Sequence, residues 1–77
     1  MDGLKALLVR DHGITAHQAA VVIEVMSHDT NKAIAFRMNV CEATIKYHLN
    51  GVYKRMGVKN RMGLILKVRE LQMALAS

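Results

Sequence analysis

Apolar residues recur along the chain at three- and four-residue intervals, and no stretch sustains a period-two alternation. That is the rhythm of helices, not of strands. Leu4, Leu7 and Leu8 can line one face of a short first helix ending near His12–Gly13. Thr15 then stands as an N-cap, with Gln18 three residues on as the reciprocal half of a capping box. Val21, Val22, Val25 and Met26 follow at helical spacing, in a helix that should close around Ser27–Asp29. Thr30 caps a short helix, about Asn31 to Met38, which buries Ile34 and Met38 and uses Ala35 for close approach. Ala33 occupies the position of the reciprocal Glu or Gln, so half of that box is missing. Asn39 and Val40 make a tight turn, and Cys41 takes the next cap position. A thiol is a weak substitute for a hydroxyl or carboxylate there, with Glu42 offering some compensation at the positive helix end.

The helix that follows, about residues 42–56, has two distinct sides. Ile45, Leu49, Val52 and Met56 fall at i, i+4, i+7 and i+11, which is one face, and the predicted core face. Lys46, Tyr47, Asn50 and Lys54 crowd another side, with Gly51 beside them. Gly51 costs about 1 kcal/mol of helix propensity relative to alanine; it leaves room for a phosphate or a neighbouring helix, or is simply tolerated at an exposed position. Gly57 ends the helix as a left-handed C-cap, Val58 packs back on the core, and Asn60 caps a last helix, roughly Arg61 to Ala74. The pattern predicts an all-α fold: four helices in a helix-turn-helix arrangement over residues 14–77, preceded by an extension or short helix over residues 1–13.

Size and composition narrow the picture. A chain of 77 residues makes one small domain. With three aromatics, Phe36, Tyr47 and Tyr53, its core must be aliphatic. One cysteine rules out an internal disulfide and fits a reducing compartment. No apolar run approaches the ~18 residues of a membrane span, and the start, MDGLKALLVRDHG, has no long apolar signal region or small-residue cleavage site. A cytoplasmic location is expected. The net charge of +5 is uneven: residues 1–45 carry four Lys or Arg against five Asp or Glu, whereas residues 46–77 carry seven against Glu70 alone. Such asymmetry favours a polyanionic partner, although a solvated basic surface gives the same count.

The chemistry on the exposed side of the 42–56 helix suits a DNA major groove, which admits one helix and displays a distinct pattern for each base pair. Lysine can donate to guanine O6 or N7, asparagine can pair with adenine N6 and N7, and Tyr47 can pack on a thymine methyl or reach a phosphate. The short preceding helix and tight turn present this helix outward. His48, at the core edge, reads as a half-buried packing residue with a hydrogen bond. His12, His17, His28 and Cys41 have no ligand-like spacing with it, so neither a metal nor a cofactor is expected. There are no paired carboxylates, no nucleophile with a base and no glycine-rich phosphate loop, so the chain does not read as an enzyme.

Together these segments resemble the LuxR-type helix-turn-helix domain of bacterial transcription regulators, the same domain that ends many response regulators. ITAHQAAVV resembles Leu-Thr-x-Arg-Glu-x-Glu-Val-Leu; TNKAIAFRM resembles Ser-Asn-Lys-Glu-Ile-Ala-x-x-Leu; NVCEATIKYH resembles x-Ile-Ser-x-x-Thr-Val-Lys-x-His; and VYKRMGVKNR resembles Ile-x-x-Lys-Leu-Gly-Val-x-Asn-Arg. The resemblance runs from Ile14 to about Leu71. It implies that Thr44 and Lys46 face DNA, with Thr44 at the backbone; that Tyr47 and Asn50, with Lys46, read bases; and that Asn31 and Lys32 lie beside the backbone, with Lys54 and Arg61 as further phosphate contacts. Several family positions differ. Gln18 and Ala20 stand where acids are usual, and Arg55 replaces a Lys that commonly pairs with an acid of the domain's opening helix. Gln18 could accept one hydrogen bond in its place. His28 replaces a turn glycine, Ala33 a helix-opening Glu, Cys41 a cap Ser, and Gly51 an Asn.

The last helix carries more apolar groups than one core face needs. Ile65, Val68 and Leu71, with Leu64 and Leu75, can form the inward stripe, while Met62, Leu66 and Met73 fall largely elsewhere. Excess apolar surface on a small domain suggests a partner. The resemblance implies a homodimer through this helix, placing two recognition helices on adjacent half-sites ~34 Å apart. Alternatively, the methionines pack against the first helix. Two functions stay open: a dimeric, sequence-specific DNA-binding transcription regulator, or an interaction module of the same fold that binds another regulator or RNA polymerase. The helix-turn-helix of sigma-factor DNA-binding domains is a near neighbour in fold. Family domains are often tethered to a receiver or signal-binding domain; the start at Met1 slightly favours a stand-alone regulator over a fragment.

Overall fold

The computed structural model describes residues 2–27 and 29–76; the expectation about His28 lies outside the described residues. Five helices follow one another: α1 (Asp2–His12), α2 (Ala16–Met26), α3 (Asn31–Met38), α4 (Glu42–Met56) and α5 (Arg61–Ala76). No strand occurs among the described residues, so the all-α reading holds.

Local chemistry sets most of the boundaries. Thr15 Oγ1 accepts from the Gln18 backbone N–H at 3.1 Å, and Gln18 Oε1 accepts from the Thr15 N–H at 3.0 Å, which completes the capping box. Thr30 Oγ1 accepts from the Ala33 N–H at 3.1 Å, and Ala33 returns nothing. Asn39 ends α3 in the left-handed conformation (φ 58°, ψ 44°), one that asparagine tolerates better than most residues. Val40 N–H donates to the Ala35 carbonyl at 3.0 Å and closes the turn into α4. Cys41 has extended N-cap geometry but no side-chain cap bond. Gly57 terminates α4 at φ 67°, where a Cβ would be strained. Asn60 Oδ1 accepts from the Gly63 N–H at 2.8 Å and opens α5. That helix runs two residues beyond the expected end at Ala74, because the closing residues include good helix formers and no glycine or proline to stop them.

The core is aliphatic, as the scarcity of aromatics requires. Val21, Val22 and Val25 of α2, Ile34 and Ala35 of α3, Ile45, Leu49, Val52 and Met56 of α4, and Leu64, Ile65 and Val68 of α5 are buried together. α4 packs chiefly on α2 and α3, while α1 lies against α2 and α5. Leu4 and Leu8 of α1 and Ile14 of the following turn complete the same core. The first helix is therefore part of the hydrophobic cluster, with Leu7 half-buried at its margin.

Burial departs from the sequence reading at several positions. Met38 is half-buried against the core rather than within it. Leu71 is likewise half-buried, and Leu75 is exposed at the edge of an open cleft shared with Gly3 and Leu4 of α1. Met62 and Met73 stand 61% and 72% exposed. Phe36, the lone phenylalanine, is 87% exposed on α3.

Candidate nucleic-acid interface

α4 is held from one side only. Its four core residues anchor it to α2 and α3, and Lys46, Tyr47, Asn50 and Lys54 are all exposed on the outward side. Lys46, Asn50 and Lys54 are spaced i, i+4, i+8 and form a stripe, with Tyr47 beside it. A cleft of about 320 Å³ opens along this stripe, lined by Gln18, Tyr47, Asn50, Gly51 and Lys54. Gln18 reaches it from α2. Its capping-box bond holds the side-chain oxygen at Thr15, and the amide nitrogen faces Gly51, where a Cβ would lie 2.6 Å from it. The space that Gly51 leaves is thus filled by a neighbouring helix's side chain. Sequence reasoning gave Gln18 a cap role and missed its place on this face; the capping box, which fixes the direction of the amide, was the available signal.

The remaining predicted residues separate into groups. Lys32 is exposed in the first turn of α3. Asn31, next to it, is half-buried, and its Oδ1 accepts from Arg61 Nη1 at 2.6 Å. Arg61 also donates from Nη2 to the Asp29 carbonyl oxygen. These two bonds staple the start of α5 to the start of α3. Arg37 makes a second clasp nearby: Nη2 donates to Glu24 Oε2 at 2.7 Å and pairs with Asp29. Glu24, then Asp29, raises the Arg37 pKa above the usual guanidinium value by hydrogen bonding its charged form. Both arginines brace the loop between α2 and α3, the loop that positions the helix-turn-helix.

Thr44 is half-buried in the first turn of α4, with Oγ1 3.2 Å from Cys41 Sγ. The Thr44 hydroxyl, followed by the Thr44 backbone N–H and then that of Ala43, pulls the exposed Cys41 thiol below its ordinary pKa. Tyr53 is half-buried against the core, and desolvation raises its phenol above the usual value, with Arg61 opposing. His48 packs by its ring: it lies parallel to His17 of α2, centroids 6.3 Å apart and planes 7° apart, and meets Tyr47 at 5.9 Å. That stacking replaces the expected hydrogen bond. Arg55 lies over Gly13, with Nη1 3.1 Å from where a Cβ would sit. Gln18 makes no bond to it; its oxygen accepts from the Thr15 N–H. Among the described residues no group of three or more His, Cys, Asp or Glu could hold a metal ion, and no helix is long and apolar enough to cross a membrane.

On α5, Met62, Leu66 and Met73 share an outward face at i, i+4 and i+11 and are more than half exposed. Leu75 lies at the mouth of a separate shallow cleft with Gly3, Leu4, Gln72 and Ala76.

A short helix, a tight αL turn and a longer helix presented outward with a cationic face define a helix-turn-helix domain. Comparison with known proteins agrees: residues 12–68 match the model of the luxR family of bacterial regulatory proteins, and the chain belongs to that family. It is a LuxR-type DNA-binding domain; domains of this family are transcription regulators and not enzymes. Among its relatives, the glycerol metabolism activator of Pseudomonas putida is 28% identical over 58 residues, covering 75% of this chain and 26% of that protein. The putative HTH-type transcriptional regulator YhjB of Escherichia coli K12 is 33% identical over 48 residues, covering 62% of this chain and 24% of that protein. The chain thus spans about a quarter of the length of these curated relatives. No solved structure is significantly similar to it.

Proposed function

We propose that this domain binds double-stranded DNA sequence-specifically, with α4 in the major groove, as a homodimer joined through α5, and regulates transcription in the bacterial cytoplasm. The observation that carries the reading is the division of α4: one side fully committed to the core, the other a stripe of Lys46, Asn50 and Lys54 with Tyr47 beside it, all in water. A stripe of donors on an outward helix suits base edges and phosphates. Lys46, Tyr47 and Asn50 read bases in this account. Lys54, Lys32 and Thr44 position the domain on the backbone. Arg61 and Asn31, bonded to each other, act mainly by holding the α3 end that meets the backbone. A pool of random duplexes should yield, after selection on the protein, a two-fold-symmetric consensus with half-sites about one helical turn apart. Recovery of an unenriched pool would contradict sequence-specific binding.

The second reading is a protein-interaction module that binds another regulator or RNA polymerase. The near-complete exposure of Phe36, together with the apolar α5 face, favours it. If the selected pool is unenriched while the chain still self-associates, this reading takes precedence.

A further inference from the structure

The cleft beside α4 has a feature that base reading does not use. Gln18 Oε1 is occupied by the Thr15 N–H. An amide held by its oxygen must turn its NH2 the other way, so the hydrogen-bond network itself assigns the nitrogen to the cleft side. There Nε2 has no acceptor among the described residues, and it occupies the room left by Gly51 at the wall of the cleft. Lys54 lines the same cleft, and no acidic residue does. A lysine and an amide whose NH2 is turned outward thus line one small cleft, with Asn50 and Tyr47 beside them.

We infer that Gln18 and Lys54 together hold one phosphate of the DNA backbone, with Gly51 leaving the room in which the Gln18 amide is aimed. A phosphodiester offers acceptors and no donors, so it matches this pair, and the charged partner strengthens both bonds. The capping box gives the grip its rigidity: the same side chain that starts α2 is locked in the orientation that meets the strand. Gln18 is then a positioning contact from outside the recognition helix, fixing the register in which Lys46, Tyr47 and Asn50 meet the bases. This inference rests on the DNA-binding reading.

The test uses a duplex selected by the wild-type chain, and copies of it in which each backbone linkage in turn is an uncharged methylphosphonate. Gln18→Glu keeps an oxygen for the Thr15 N–H and so preserves the box, but replaces the donor with a carboxylate. It should weaken binding about tenfold or more by fluorescence anisotropy, with an unchanged melting temperature. Neutralising one particular linkage in each half-site should restore most of that loss. Gly51→Ala, which displaces the amide, should lessen the wild-type sensitivity to that same linkage, leaving the share that Lys54 carries. The inference is overturned if Gln18→Glu binds within about twofold of wild type, or if its loss is relieved equally by every linkage, which would mark a diffuse charge effect. Should Gln18→Glu fail to fold, Gly51→Ala decides alone, and unchanged linkage sensitivity overturns the inference. Failure of the wild-type chain to bind any duplex overturns this inference and the DNA-binding reading together; the other outcomes overturn this one only.

Discussion

α4 and α5 are similar in length, and each leaves large side chains in water, but of opposite chemistry. α4 separates its residues cleanly, with four apolar groups inward and lysines, an asparagine and a tyrosine outward. α5 buries Leu64, Ile65 and Val68 and still exposes Met62, Leu66 and Met73. A polar outward face costs nothing in water and is useful only where something complementary meets it. An apolar outward face gains free energy when covered, at about 25 cal/mol per Å². In the proposed function the two helices meet different partners: a polyanion for α4, a second copy of the chain for α5.

The comparison is broken most severely by attacking the shared core. Leu49→Ala removes a buried anchor of α4 and should cost about 2–5 kcal/mol in urea denaturation, a large part of the stability of so small a domain. Lys46→Ala should leave stability unchanged and cost about 1–3 kcal/mol of discrimination between selected and altered duplexes. Lys32→Ala should instead weaken all duplexes about equally and lower the salt slope by about one. Leu66→Glu with Met73→Glu should leave the fold intact and convert dimer to monomer in analytical ultracentrifugation; an unchanged mass distribution would remove α5 as the interface. The smallest effect concerns the start of α4. Cys41→Ser supplies the missing cap oxygen and should raise stability by about 0.5–1 kcal/mol, read as a shift in the denaturation midpoint.

The sequence was most legible where structure is made locally. Thr15 and Gln18, Thr30 without its partner at Ala33, Gly57 and Asn60 set helix ends through contacts three or four residues apart, and spacing alone exposes such contacts. The inward stripe of α4 was legible for the same reason. What stayed hidden joins distant segments. The Arg61 bonds to Asn31 and Asp29 and the meeting of Gln18 with Gly51 each cross about thirty residues, and no periodicity encodes them. The resemblance marked Arg61 as a phosphate contact, and its guanidinium also bonds within the domain. The end of α5 differed for another reason: Leu75 is apolar at core spacing, but it borders an open cleft with Gly3 and Leu4 of α1 and is not sealed against them.

Affinity for DNA tests the central claim most directly. Fluorescence anisotropy should show the chain binding its selected duplex at least about a thousandfold more tightly than a scrambled one at physiological salt, with both affinities falling steeply as salt rises. Equal affinity for the two duplexes at low and at physiological salt would contradict the assignment of α4 as a base-reading helix.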